Sequence, residues 1–297
     1  MRYAHEVVDW PNYTWDTTAF GSRLAAINFR RGALITAMAA IGFKVRAEAV
    51  LQVLVQDVVK SSEIEGEQLD AAQVRSSIAR KLGMDYAGLP EPDRKTDGVV
   101  AMMLDATQRF DAPLNEERVF GWHAALFPTG YSGLIKIAVA RWRDDSHGPM
   151  QVVSGPIGKE VVHYEAPAAS RVPQEMRLLL EWFKSDQQLD PVLKAAIAHI
   201  WFVSVHPLDD GNGRIGRAIM DMALARGDGS SQRFYSMSAQ ICAERKSYYD
   251  VLERAQKRSM DVTEWMDWFL GRMDQALESA EVVLTIVREK QAFWDTH

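Results

Sequence analysis

The 297-residue chain is 47% hydrophobic, enough for one large or two modest packed cores. Its 34 Lys and Arg against 40 Asp and Glu give a formal charge of −6, which argues against general attraction to nucleic acid or anionic membranes. A single cysteine, Cys242, excludes an intramolecular disulfide framework, and no apolar run reaches transmembrane length or forms a signal-peptide core, so the expected location is the cytoplasm.

The first twenty residues are aromatic and irregular. Trp10-Pro11-Asn12-Tyr13-Thr14-Trp15 reads as an arm stapled to a core rather than as a binding platform. Apolar residues at helical spacing (Leu24, Ile27, Leu34, Met38 and Ile41) predict a helix over 19–43. A second is predicted over 45–60. The stretch Ser61-Ser62-Glu63-Ile64-Glu65-Gly66-Glu67, taken alone, reads as an acidic, solvated helix end. Residues 71–82 continue as helix, and Gly88-Leu89-Pro90-Glu91-Pro92-Asp93 is a linker. It divides the chain into an N-terminal helical region, 1–92, and a core with C-terminal helices, 93–297.

Helices are predicted over 96–106 and 115–126. A charged connection, Arg141-Trp142-Arg143-Asp144-Asp145, leads to two strands, Val152-Val153 and Val161-Val162-His163-Tyr164. The turn between them is Ser154-Gly155-Pro156-Ile157-Gly158-Lys159. A lone hairpin needs support from the bundle, and its open edge offers backbone donors and acceptors to an extended peptide. His163 and Tyr164 read as surface of this hairpin.

After an amphipathic helix over 172–182 comes the most informative stretch. Helices predicted over 191–205 and 215–225 flank His206-Pro207-Leu208-Asp209-Asp210-Gly211-Asn212-Gly213-Arg214-Ile215-Gly216-Arg217. Asp190-Pro191 supplies a cap and a first-turn proline to the first of them. Gly211 and Gly213 allow positive φ and close approach of a ligand. The amides of 211–214 then open a helix, where free N–H groups and the dipole favour an anion. Arg214 and Arg217 share a face and suit phosphate oxygens. Asp210 suits Mg²⁺ carried by substrate phosphates, and His206 is placed to take a proton from a hydroxyl. The constellation reads as a Mg²⁺-nucleotide site with a general base.

Rival readings of the same residues fail on context. Gly211-x-Gly213-x-x-Gly216 lacks the strand and βαβ unit of a dinucleotide fingerprint. No Gly-Lys-Ser/Thr makes a P-loop, and an EF-hand loop would need an Asp at 206 and an oxygen ligand at 208. Further on, Gly227-Asp228-Gly229 is a loop. The helix over 243–256 carries Tyr248-Tyr249, an adjacent pair that on most helices serves packing. A last helical pattern covers 265–287.

Stretch 206–217 resembles the Fic-domain signature, His-x-Phe-x-(Asp/Glu)-Gly-Asn-Gly-Arg-x-x-Arg, with Leu208 at a core-facing position where the family has Phe. The resemblance implies a mainly α fold: a Fic-type helical bundle, one β-hairpin flap and an N-terminal helical region. It also implies transfer of AMP from Mg²⁺-ATP to a Ser, Thr or Tyr hydroxyl of a target protein, with Asn212 joining the glycine amides on the phosphates. Ser61, Glu65 and Gly66 match the family's inhibitory motif, (Ser/Thr)-x-x-x-Glu-(Gly/Asn). Its glutamate pairs with the second signature arginine, here Arg217, and competes with phosphate for the same donors. Val152, Val153, Ser154, Gly155, Val161 and Val162 would form the flap that holds the target by strand addition. Tyr248 and Tyr249 would line the adenine pocket, with Gln256 standing where the family has Asn.

The implied partners are ATP and a protein target, without nucleic acid or membrane; a homodimer is left open. Two other readings use the same residues. The site would remove AMP from a modified protein, Glu65 orienting the water, or nucleotide occupancy would only switch an interaction protein. An intact His206 argues against the last. Longer relatives carry a winged-helix module beyond this region, and none is visible here.

Overall fold

The computed structural model describes residues 3–146, 148–156, 159–185, 188–257 and 259–296, the side chains of 44 and 287–296 excepted. From the N-terminus the chain forms α1 (Gly21–Ala39), α2 (Phe43–Ile64), α3 (Ala71–Lys81), α4 (Arg94–Gln108) and α5 (Glu116–Leu126). Acidic and amide caps start three of these. Asp70 accepts from the Ala72 N–H at 2.7 Å, Asp93 from Thr96 at 2.7 Å and Asn115 from Arg118 at 2.9 Å. Helix α2 runs past the predicted end at 60, because Ser61, Ser62 and Ile64 are buried rather than solvated.

Two small antiparallel hairpins follow. The sequence did not predict the first, β1 (Tyr131–Ser132) with β2 (Ile135–Lys136). The second joins β3 (Gln151–Ser154) to β4 (Val161–Glu165), with a register shift between Val152 and Val153. It matches the predicted flap strands. Of its turn, residues 157 and 158 lie outside the described residues.

Helices α6 (Val172–Lys184), α7 (Pro191–Val205) and α8 (Asn212–Asp228) come next. They are followed by α9 (Met237–Ala243), also not predicted, α10 (Arg245–Ala255) and α11 (Thr263–Thr296). The centre of the protein is the pair α7 and α8. Helix α7 is buried from Val192 to Val205 except at Lys194, because apolar residues occupy all its faces and leave only Lys194 to reach the surface. The two pack closely at Gly216, where a Cβ would stand 2.9 Å from Val203 Cγ1. Around them lie α4, α5 and α6, while α1 packs along α11 and α2 along α9. The N-terminal arm is indeed stapled down. Trp10 donates to Glu175 on α6 at 2.8 Å, and Thr14 exchanges backbone hydrogen bonds with Met260 and Val262. No helix among the described residues is long and apolar enough to cross a membrane.

Candidate active site

Helix α7 ends at His206, whose backbone is left-handed at φ +49°, ψ +57°. That turn throws the imidazole toward the following loop while the His206 N–H still donates to Phe202. The ring is half-buried, and its Nδ1 lies 3.2 Å from the Val203 carbonyl. A carbonyl only accepts, so Nδ1 carries the proton and Nε2 keeps its lone pair. Burial pushes the His206 pKa below its ordinary value; the Val203 hydrogen bond opposes this, and the Arg143 charge adds to it. The ring is therefore a neutral base at pH 7.

The loop after His206 is closed from inside. Asn212 Oδ1 accepts from the Leu208 N–H at 3.0 Å, and Asn212 Nδ2 donates to the Leu208 carbonyl at 2.8 Å. This amide shapes the loop, and both its ends are engaged there. Leu208 is fully buried, as expected for its place in the signature. Gly211 has φ +82°, while Gly213 is already in the first turn of α8 and needs no positive φ. The expectation of positive φ at Gly213 is thus corrected: glycine is required there for space. A Cβ on Gly213 would lie 2.1 Å from Glu65 Oε1.

That carboxylate comes from the end of α2. Gly66, at φ +80°, reverses the chain, and the N–H groups of Gly66 and Glu67 donate to Glu63 and Ser62. The reversal aims two carboxylates at α8. Arg217 donates to Glu65 Oε1 at 2.7 Å, to the Ser61 hydroxyl at 2.9 Å and to the Ser61 carbonyl at 2.7 Å. Its Nη1 is buried with no hydrogen-bond partner among the described residues. Arg214 donates to Glu67 at 2.7 Å, and its guanidinium lies 5.1 Å over the Phe127 ring. Lys95 from α4 also reaches Glu67, at 3.2 Å. The isolated reading of 61–67 as a solvated helix end is therefore wrong, because Ser61 and Ser62 are inside.

Asp210 is two-fifths exposed and faces the open side of the loop. Its Oδ1 accepts from the Gly211 N–H at 2.5 Å, and its Oδ2 accepts from the Ser132 hydroxyl on β1. Among the described residues no cluster of three or more His, Cys, Asp or Glu could hold a metal unaided. One part-exposed carboxylate, 3.8 Å from Arg214 Nη2, fits Mg²⁺ only when the ion arrives on substrate phosphates.

Tyr248 and Tyr249 have different fates. Tyr248 is buried, its hydroxyl 2.8 Å from His199 Nε2. Tyr249 is partly exposed, donates to the Ile64 carbonyl at 3.3 Å and so touches the end of α2. Gln256 turns away into the core, where its amide donates to Ser204 Oγ at 3.1 Å. The flap valines Val153, Val161 and Val162 are exposed. Tyr164 is not flap surface as expected: it is 1% exposed and donates to the Ser204 carbonyl at 2.7 Å. His163 ties the flap to α10 through Glu253 at 2.7 Å. Sequence reasoning also missed Glu67, Ser132 and Arg143. Glu67 and Arg143 stood inside stretches already singled out, whereas nothing in the sequence marked Ser132.

These features can be set beside known proteins. Residues 113–224 match the Fic/DOC family, and residues 3–84 match a family described as a domain of unknown function (DUF4172). The chain carries a Fic/DOC domain. Its stretch of signature, flap and preceding helices lies within 113–224, and α2 with Glu65 lies within the N-terminal match. A probable protein adenylyltransferase of Aquifex aeolicus is 30% identical over 84 residues, 28% of this chain and 26% of that protein. The protein adenylyltransferase Fic of Culex quinquefasciatus is 25% identical over 240 residues, 78% of this chain and 43% of that one. The chain thus spans less than half the length of these relatives. A Fic family protein of Desulfovibrio desulfuricans superposes with a TM-score of 0.63 at 23% identity, covering 88% of this chain and 74% of that one. A Fic-domain protein of Bacteroides thetaiotaomicron gives 0.65 at 16%, covering 90% and 98%. Both share the mainly helical Fic fold seen here.

Proposed function

We propose that this Fic-domain chain transfers AMP from Mg²⁺-ATP to a hydroxyl of a target protein and is held in check by Glu65. The observation that carries this is a proton acceptor set a few residues ahead of an anion cradle. His206 Nε2 is free to accept, because Nδ1 is committed to Val203, and the first turn of α8 presents amides, Arg214 and Arg217 a few residues away.

In the reaction the target oxygen forms a bond to the α-phosphorus as the bond from that phosphorus to pyrophosphate breaks. His206 Nε2 takes the hydroxyl proton, and pyrophosphate carries away its electron pair. The α8 amides and the two arginines bear the charge spread over the phosphates. Asp210 would hold a Mg²⁺ ion, which supplies further neutralisation of phosphate charge. An extended target segment would pair with the open edge of the β3–β4 hairpin, bringing its hydroxyl to His206.

Glu65 supports the inhibition because it occupies the place that Gly213 leaves for a ligand and takes an Arg217 donor. The same carboxylate, standing over the cradle, also favours a second activity, removal of AMP with Glu65 orienting water. Intact-protein mass spectrometry after incubation with Mg²⁺-ATP tests the main reading. An adenylyl gain on Glu65→Gly, weaker on wild type and missing from Glu65→Gly/His206→Ala, is expected. No gain on any of them, with loss of AMP from an AMPylated protein offered to wild type, would replace transfer by removal.

A further inference from the structure

The connection before the flap holds one side chain with no place in the chemistry above. Arg143 has a fully buried side chain. Its Nε donates to the His206 carbonyl at 2.7 Å, one terminal nitrogen donates to the Pro167 carbonyl, and the other pairs with Asp145 at 3.2 Å. Its backbone N–H donates to the Pro207 carbonyl at 2.9 Å. Two of these four contacts fall on consecutive carbonyls, those of His206 and Pro207. Pro167 follows β4, so the same guanidinium ties the return of the flap to the signature loop.

The grip falls where it is needed. His206 is one of two non-glycine residues with positive φ among those described, a conformation costing about 1 kcal/mol that persists only when its surroundings enforce it. Its carbonyl lies past the last turn of α7 and has no helical donor. A planar guanidinium, with donors at fixed angles, can hold two carbonyls in one relative orientation; a lysine cannot.

We propose that Arg143 is the positioning residue for His206: by holding the left-handed peptide, it keeps Nδ1–H on Val203 and turns Nε2 toward the incoming hydroxyl. Arg143 does not touch the substrate; it acts through the backbone of the base. Other charges facing the ring are Glu65 and Asp210, both of which act against Arg143 electrostatically. The kinetic arm of the test rests on the adenylyl-transfer reading, and the spectroscopic arm does not.

Arg143→Gln and Arg143→Lys are made in the Glu65→Gly background, their folding is checked by circular dichroism, and His206 is read by ¹⁵N NMR of its ring nitrogens. The unsubstituted background should show a single Nδ1–H tautomer. Arg143→Gln should show a mixture of tautomers and transfer about 100-fold slower at unchanged ATP affinity, the scale expected for a base displaced by about 1 Å. Arg143→Lys should fall between, about tenfold slower, and decides the matter if the Gln variant does not fold. A folded variant with the original tautomer and a rate within twofold overturns the proposal. So does a loss of ATP affinity as large as the loss of rate, which would mean general damage to the site. If the Glu65→Gly protein transfers no AMP, the functional reading fails, and the tautomer alone decides the role of Arg143.

Discussion

Glu67 accepts a hydrogen bond from Arg214 at 2.7 Å, two residues after Glu65 does the same for Arg217 at 2.7 Å. Both arginines that would meet the phosphates are thus engaged by carboxylates from one turn, whose path is set by the positive φ of Gly66. The pairs differ in strength of hold. Arg217 is also fixed by Ser61, whereas Glu67 shares its charge with Lys95.

Removing the Glu65 carboxylate frees a charged donor that phosphate would otherwise have to win. A charge-assisted hydrogen bond contributes about 1.5–3 kcal/mol, so Glu65→Gly should tighten ATP binding by roughly 10- to 100-fold. Glu67→Gln should have the same sign and a smaller size, a few-fold, because Glu67 is balanced by two cations. Isothermal titration with Mg²⁺-ATP checks both. Equal affinity in wild type and Glu65→Gly would end the inhibitory reading.

Asn212 should matter to stability as well as to activity. Asn212→Ala removes both bonds to Leu208 and leaves a buried N–H and carbonyl with no partner. The expected loss is about 2–4 kcal/mol. Urea unfolding measures it, and a change under 0.5 kcal/mol would show that the loop is held by other contacts.

The pH profile of transfer follows from the burial of His206. Its pKa lies below the ordinary histidine value of about 6.5, so more than half of the base is still neutral when the solution reaches that pH. The acid limb of the transfer profile should have its midpoint below about pH 6.5. A fall already centred at pH 7 or above would contradict the buried environment of the ring.

Beneath Arg217 lies a second buried charge group. Asp57 on α2 accepts from Ser236, Asp221 pairs with Arg233 at 2.9 Å, and Asp228 pairs with Arg31 at 2.8 Å. Burial first, then the Asp221 charge, raise the Asp57 pKa to about 8, against the pull of Arg233. A raised carboxyl keeps its proton in the fold between about pH 4 and 8, while the unfolded chain loses it, so stability falls as pH rises through that window. Asp57→Asn should match wild type near pH 4 and exceed it by about 3 kcal/mol at pH 8, with the shift discounted for relaxation of the site. Thermal melts at the two pH values test this; parallel curves would mean that Asp57 is ionised throughout.

How much was legible beforehand depended on how local the cause was. Helices with apolar periodicity and polar caps came out close to their predicted bounds, as for α3, α5 and α7, because caps and spacing act within a few residues. The α9 helix is seven residues long and the β1–β2 hairpin pairs two residues per strand, too short for periodicity to register. Tyr164 was misplaced for a related reason. Alternation in a five-residue strand does not say which face meets the bundle, and here the Ser204 carbonyl and the N-terminal arm claim the tyrosine.

By itself, the sequence determined the signature loop: its glycines, its base and the arginines on one face of α8 lie within twelve residues, so local backbone geometry suffices to assemble them. Only the tertiary structure decided what meets that loop. Glu65 and Glu67 come from about 150 residues away, Arg143 from 63, and Ser132 from 78. Such contacts are fixed by how α2, the two hairpins and the α7–α8 pair pack together, which no short window of sequence contains. The physical reason is that a buried arginine or a left-handed peptide must be satisfied by whichever groups packing brings within about 3 Å.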